Sequence, residues 1–263
     1  MPELVKRVGT AAVLIVFLVA ALFLLPRGGI ALLMALLVAI GGLEWARLCG
    51  LSDLAARLYA AGAVLALLVL HSVEVSRLAF LVAAVFWIVA VPLWFALGVR
   101  TRHRPLLLAA GLVVLVPAAL AMVALGPAEA LLVLAVVWIA DTAAYFAGRR
   151  WGRHKLAPAI SPGKTWEGVA GGLIGAAAYA MILSIFFAGI QGTRMAVFLG
   201  AAALLVAVSI LGDLFESAAK RQAGVKDSGT LLPGHGGMLD RIDSATAVLP
   251  VAALVVPFLK SAP

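Results

Sequence analysis

The chain has 263 residues, of which 65% are hydrophobic and 12% charged, and its mean hydropathy is +1.15. A soluble domain is about 45–50% apolar and about 25% charged, so this chain has too little polar surface to cover a water-soluble globule. The same values exclude disordered and collagen-like chains, and a single cysteine, Cys49, excludes a disulfide framework and reads as a spectator thiol. A formal charge of +8 has two common sources, nucleic-acid binding and contact with anionic lipid; the hydropathy selects membrane lipid as the partner and leaves no nucleic acid.

Crossing a ~30 Å hydrocarbon core takes roughly 20 apolar residues in a helix. Cutting the chain at its charges and Pro/Gly clusters predicts spans at about 8–25, 28–43, 54–70, 78–99, 105–125, 128–147, 168–190, 195–212 and 242–259. The first follows Lys6 and Arg7 as a signal peptide would, but it runs on to Leu25 without a small-residue cleavage pattern, so it reads as a retained span. The second is short unless it continues through Glu44 and Trp45, and the third carries Arg57 near its end, where the side chain would snorkel. The expected fold is an all-α polytopic integral membrane protein of about nine transmembrane helices. It forms a single membrane domain, with about five spans in 1–127 and the site-bearing helices and loops in 128–263.

An odd number of spans places the termini on opposite sides, which the positive-inside rule tests without using hydropathy. Sixteen of the twenty Lys and Arg residues fall in the loops on the amino-terminal side; only Arg27, Arg77, Arg194 and Lys260 fall on the other. The amino terminus is therefore expected in the cytoplasm and the carboxy terminus outside. Ten of the twelve acids, all but Glu74 and Glu129, share the cytoplasmic side. Asp and Glu contribute little to topology signalling, so their placement points to a site.

Four segments carry these groups. Asp141 lies inside the sixth apolar segment, where an ionised carboxylate costs about 2.5–3.5 kcal/mol unless it is paired or hydrated. It reads either as a helix-end residue reaching water or as the lining of a cavity open to the cytoplasm. Asp213, Glu216, Ser217, Lys220 and Arg221 share one helical face opposite Leu214, Phe215, Ala218 and Ala219. An amphipathic surface helix would show a mostly basic polar face; acids at the boundary with bases further out favour a helix continuous with the eighth span. From 229 to 237, four glycines and one proline rule out a regular helix and suit backbone that approaches a ligand, and Asp240 and Asp243 follow one turn apart. A connecting loop is also Gly-rich, but it would not usually end in two acids entering a membrane. Finally, Arg149 to Glu167 holds five Lys/Arg, His154 and the tract Ser161-Pro-Gly-Lys-Thr-Trp-Glu-Gly168. Its Gly-Lys-Thr is not a P-loop, because Pro158 stands where the first glycine belongs and no strand is predicted before it. Lys164 and Thr165 nevertheless precede a helix amino terminus, where anions are favoured.

Carboxylates from several helices suit a hard cation, and Mg²⁺ typically takes one or two of them plus substrate phosphates. Asp141, Asp213, Asp240 and Asp243 are the candidates, surrounded by Lys155, Lys164, Lys220, Arg221, Lys226 and Arg241. Bases beside metal-holding acids make sense when a polyanion is also bound, the arrangement that phosphoryl or nucleotidyl transfer requires. His235, the histidine of the Gly-rich stretch, suits an acid/base or a phosphate donor. Its role as a base is weakened if the attacking group is a phosphate, which is already anionic at neutral pH.

The run Ser217-Ala-Ala-Lys-Arg, four residues, then Lys226-Asp-Ser-Gly-Thr-Leu-Leu-Pro-Gly-His-Gly-Gly-Met-Leu-Asp-Arg-Ile-Asp243 closely resembles the signature of the phosphatidate cytidylyltransferase (CDP-diacylglycerol synthase) family. It covers about a tenth of the chain and is highly specific; Asp141, the Ser161 to Gly168 tract and Gly212-Asp213 resemble other polar segments of that family. Ala219 replaces a usually larger apolar residue and Gly163 a usual second lysine, which bears only on a phosphate contact at 163. The resemblance implies that phosphatidate attacks the α-phosphorus of CTP, giving CDP-diacylglycerol and pyrophosphate. It implies Mg²⁺, with a second, monovalent cation such as K⁺, at the cytoplasmic face of the inner membrane, and it alone suggests a homodimer. Carried over residue by residue, Asp213 and Asp240, then Asp141 and Asp243, would bind metal, and Asp213, Asp240, Lys226 and His235 would be catalytic. Lys164, Thr165, Ser217, Lys220, Arg221, Lys226 and Arg241 would contact substrate. A CDP-alcohol phosphatidyltransferase is excluded, since its DG-x₂-AR-x₈-G-x₃-D-x₃-D pattern is absent. The alternative is a membrane transporter of an anionic substrate, which should show repeated halves with polar residues near the midplane rather than at one boundary.

Overall fold

The computed structural model describes residues 2–98, 103–185, 193–231 and 236–261. Within the described residues each predicted span falls on a helix, 99 of the fourth and 186–190 of the seventh lying outside them: α1 (Pro2–Leu24), α2 (Arg27–Leu48), α3 (Asp53–Ser72), then α4 (Ser76–Val85) and α5 (Val91–Leu97) joined by a π-helical turn, Phe86–Ala90. There follow α6 (Arg104–Ala124), α7 (Pro127–Trp151), a hairpin of β1 (Lys155–Ala157) and β2 (Ser161–Thr165), α8 (Trp166–Leu183), α9 (Thr193–Gln222) and α10 (Leu239–Ser261). Among the described residues, eight helical rods are long and apolar enough to cross a membrane, α4 and α5 counting as one; α1 has a shorter apolar stretch, Ala12–Leu24. The second span does continue, through Glu44 and Trp45 to Leu48.

The 155–165 region corrects the expectation that no strand precedes the Lys164 helix. β1 and β2 pair antiparallel, with Lys155 opposite Thr165 and Ala157 opposite Ser161. The strands are short and closed by a tight turn in which Ile160 N–H donates to Ala157 O at 3.1 Å, so they lack the alternating pattern that a longer strand writes into sequence. A two-stranded antiparallel hairpin is not the parallel sheet of a nucleoside-triphosphatase, and that exclusion stands.

Helix α6 lies at the centre, packed against α2, α3, α4 and α10, with Val114 to Met122 buried. Beside it, the ring of Phe215 on α9 is surrounded by Trp45 (centroids 5.7 Å apart), Phe86 (5.4 Å), Trp87 (5.5 Å) and Trp94 (5.3 Å). The π-turn at Phe86–Ala90 belongs to this cluster and leaves Trp87 fully buried. The apolar face predicted for 213–221 is thus a packed core face. Elsewhere small residues set the helix spacing, as is usual inside membranes. A Cβ on Gly171 of α8 would come within 2.3 Å of Ala147 Cβ on α7, and one on Gly212 of α9 within 2.7 Å of Asp243 O on α10. These close approaches draw α7, α8, α9 and α10 together where their acids lie.

Candidate active site

The site is assembled from one end of these four helices and the hairpin. Helix α7 supplies Asp141 about two turns before its last basic residues, Arg149 and Arg150. The hairpin folds back, and Thr165 caps α8, its hydroxyl accepting the Gly168 N–H at 3.1 Å. Glu167, in the first turn, accepts the His154 N–H at 3.2 Å and pairs with His154 Nδ1 at 2.7 Å, fastening the hairpin to the helix. Lys164 is thereby directed at α9, where its Nζ lies 2.6 Å from Asp213 Oδ2. The other oxygen of Asp213 accepts from Ser217 Oγ at 3.1 Å.

One turn further along α9, Lys220 is buried between two acids. Its Nζ is 2.5 Å from Asp240 Oδ1 and 3.3 Å from Glu216 Oε2. Neither Glu216 oxygen is aligned for a hydrogen bond among the described residues, although it lies within ion-pair distance of Lys220. Asp240 Oδ2 accepts the Ser228 N–H at 2.8 Å and the Gly237 N–H at 2.8 Å. Asp243 Oδ1 accepts the Ser244 N–H at 2.7 Å.

A cleft of about 580 Å³ opens among these groups. Asp141, Asp213, Asp240 and Asp243 all line it, with Lys164, Thr165 and Arg149. Asp141 and Asp213 are close enough to repel one another, and Asp243 is repelled by Asp213 and attracted by Lys164 and Lys220. The four predicted metal-binding acids therefore share one wall system, with Lys164 among them. Lys220 and Ser217 stand behind it, holding Asp240 and Asp213. Thr165 lines the cleft, its hydroxyl oxygen accepting the helix-cap hydrogen bond while its own proton is left to donate. Arg221, Lys226 and Arg241 are exposed and are not part of the cleft wall; Arg221 Nη1 donates to Val225 O at 3.1 Å, closing the end of α9. His235 lies outside the described residues.

Among the described residues no three Asp, Glu, His or Cys side chains converge tightly enough to enclose a metal ion by themselves. The donor set fits Mg²⁺ in a different way. Four carboxylates line the cleft (Asp141, Asp213, Asp240 and Asp243), with Glu216 behind them, against Lys164, Arg149 and, behind the wall, Lys220, so acidic groups outnumber basic ones and hard oxygen donors are in excess. Mg²⁺ completes its shell with water and substrate phosphate and needs only one or two of them.

Three groups at this end went unnoticed as site residues in the sequence. Arg149 counted only as one of a basic run, yet it lines the cleft, its Nη1 donating to Tyr145 Oη at 3.0 Å. Ser228 is buried between acids, and Glu44, from α2, is buried against the Gly-rich segment.

The helices and the cleft define an all-α integral membrane protein with an acid-and-base site at one end of its bundle. A model of the cytidylyltransferase family matches residues 5–259. A phosphatidate cytidylyltransferase of Pseudomonas aeruginosa is 42% identical over 265 residues, spanning 95% of this chain and 96% of that protein. One of Haemophilus influenzae is 54% identical over 122 residues, 46% of this chain and 42% of that protein. One of Thermotoga maritima is 44% identical over 138 residues, 51% of each. The chain belongs to the cytidylyltransferase family, and it is a nucleotidyltransferase.

Proposed function

We propose that this chain transfers CMP from CTP to phosphatidate, giving CDP-diacylglycerol and pyrophosphate. The reading is carried by one observation: a cleft with both carboxylates and lysine, built at the ends of membrane helices, in a chain similar over nearly its whole length to an enzyme named for this reaction. The lipid phosphate oxygen attacks the α-phosphorus of CTP, the bond from that phosphorus to the bridging oxygen breaks, and pyrophosphate leaves with the bond pair. The attacking phosphate is anionic at neutral pH, so no side chain has to remove a proton.

In this reading Lys164, on the cleft wall beside Asp213, exchanges its carboxylate partner for substrate phosphate. Lys220 keeps Asp240 ionised and fixed in the cleft. Asp213 and Asp240, with Asp141 and Asp243, hold Mg²⁺, which supplies charge neutralisation for the triphosphate; a monovalent cation such as K⁺ is a further occupant of the same acidic cleft. Exposed Arg221, Lys226 and Arg241 draw anionic headgroups and nucleotide toward the site. The cleft end faces the cytoplasm across the inner membrane, with the amino terminus inside and the carboxy terminus outside. A homodimer is consistent with this arrangement and is not needed for it, since the cleft is formed within one chain.

Purified protein in detergent, supplied with CTP, Mg²⁺ and phosphatidate, should release pyrophosphate. Asp240→Asn should reduce the rate by about 100-fold or more, as removal of a charge-stabilising group at a reacting centre does, while leaving helix content unchanged. No pyrophosphate from the wild type would sink the reaction, and full activity in the variant would sink the role of Asp240. The topology is tested separately. A cysteine placed at the carboxy terminus of a Cys49→Ser chain should react with an impermeant thiol reagent added outside; protection would overturn the orientation.

A further inference from the structure

Glu44 is a carboxylate near the carboxy-terminal end of α2, 6% exposed, far in sequence from the aspartates of the site. A buried charge is costly unless donors meet it. Here they come from one place. Oε1 accepts the Met238 N–H at 2.9 Å, and Oε2 accepts the Leu239 N–H at 2.9 Å. Ser228 Oγ lies 3.0 Å from the same Oε2 and 3.0 Å from Asp240 Oδ2.

Leu239 opens helix α10 and Met238 immediately precedes it, and the N–H groups at a helix start have no partner within the helix. Glu44 thus caps α10 from a different helix, and its negative charge sits at the positive end of the α10 dipole. The segment is shaped to receive it: a Cβ on Gly237 would lie 2.2 Å from Ser228 Oγ and 2.6 Å from Glu44 Oε2. The next residues on α10 are Asp240 and Asp243, which line the cleft; Glu44 and Ser228 do not. The single Ser228 hydroxyl proton can serve only one of its two carboxylate neighbours at a time, so the hydroxyl couples the orientation of Glu44 to that of Asp240.

We propose that Glu44 is a positioning residue for the transfer reaction: it fixes the start of α10 and, through Ser228, the carboxylate of Asp240. The inference rests on the reading of Asp240 as part of the reacting site. Glu44→Gln keeps the size but places an amide N–H₂ against backbone N–H donors. It should lower kcat about 10-fold to 100-fold, the loss expected when a buried hydrogen bond to a charged group is broken, and leave KM for CTP within about threefold. Ser228→Ala should lower kcat less, and the double variant should be no worse than Glu44→Gln alone, because both act on one chain of contacts.

A readout independent of catalysis separates this proposal from the proposed reaction. By hydrogen–deuterium exchange, the amides of 237–239 should be protected in the wild type and exchange at least about tenfold faster in Glu44→Gln. Should Glu44→Gln lower the melting temperature sharply, Ser228→Ala carries the test: reduced kcat at an unchanged melting temperature supports the coupling. Unchanged exchange at 237–239, a kcat for Glu44→Gln within twofold of wild type, or multiplicative effects in the double variant would each overturn it. Faster exchange in a protein that releases no pyrophosphate would uphold the cap and remove the reaction.

Discussion

Two lysines at opposite ends of the helical bundle make the same kind of contact in different settings. Lys220 has a side chain 11% exposed and is held between Asp240 and Glu216, each 6% exposed. Lys260, at the far end of α10, pairs with Glu129 at the start of α7, but its side chain is 68% exposed. An ion pair open to solvent or headgroups contributes little, whereas a buried one is costly to form and costlier still to break. Burial of ion pairs is therefore poor evidence of design for stability. At the Lys220 end it is accompanied by a cleft and an excess of carboxylates, and there it marks a site. At the other end Glu129 and Lys260 border a mostly apolar pocket of about 370 Å³ with a single carboxylate, and the pair joins the ends of two helices.

Removing Lys220 is the sharpest way to break that comparison. Lys220→Met leaves Asp240 and Glu216 buried without their shared cation, which costs about 3–5 kcal/mol when one partner of a buried pair is lost. The expected result is a large fall in detergent melting temperature together with loss of pyrophosphate release. Lys220→Met/Glu216→Gln, which removes one of the two stranded charges, should recover part of the stability and none of the activity. Equal melting temperatures for Lys220→Met and wild type would show that Asp240 and Glu216 do not depend on this lysine.

The same contrast explains what could be read from the chain. Helices were legible because each must supply enough apolar length to cross lipid, and that requirement is written in consecutive residues. Asp141, Asp213, Asp240 and Asp243 were legible for the opposite reason, since a carboxylate in an apolar segment needs a cause; all four line the cleft. Direction was harder. Arg221 and Arg241 each follow a site residue by one position, and one step along a helix turns the side chain by about 100°, so they stay outside the cleft wall that their neighbours support. The hairpin was missed because three-residue and five-residue strands carry too little periodicity. Glu44 was missed because, at the end of a span beside Trp45, it looks like any interfacial residue. Its partners Ser228, Met238 and Leu239 lie 184 to 195 residues away, and only packing of α2 against the start of α10 brings them into contact.

The exposed end offers the weakest perturbation and completes the contrast. Glu129 also accepts the Gly126 N–H at 3.0 Å, closing the first turn of α7, so its carboxylate has a local role besides the pair with Lys260. Lys260→Met removes only the partner, and an exposed pair of this kind is worth about 0.2–1 kcal/mol. Pyrophosphate release should be indistinguishable from wild type and the melting temperature should fall by no more than a few degrees, the small shift also shrinking in high salt as screening replaces the lost cation. If Lys260→Met instead lowered activity as Lys220→Met does, the far end of α10 would be coupled to the cleft through the length of the helix. The division of the bundle into a reacting end and an anchoring end would then fail.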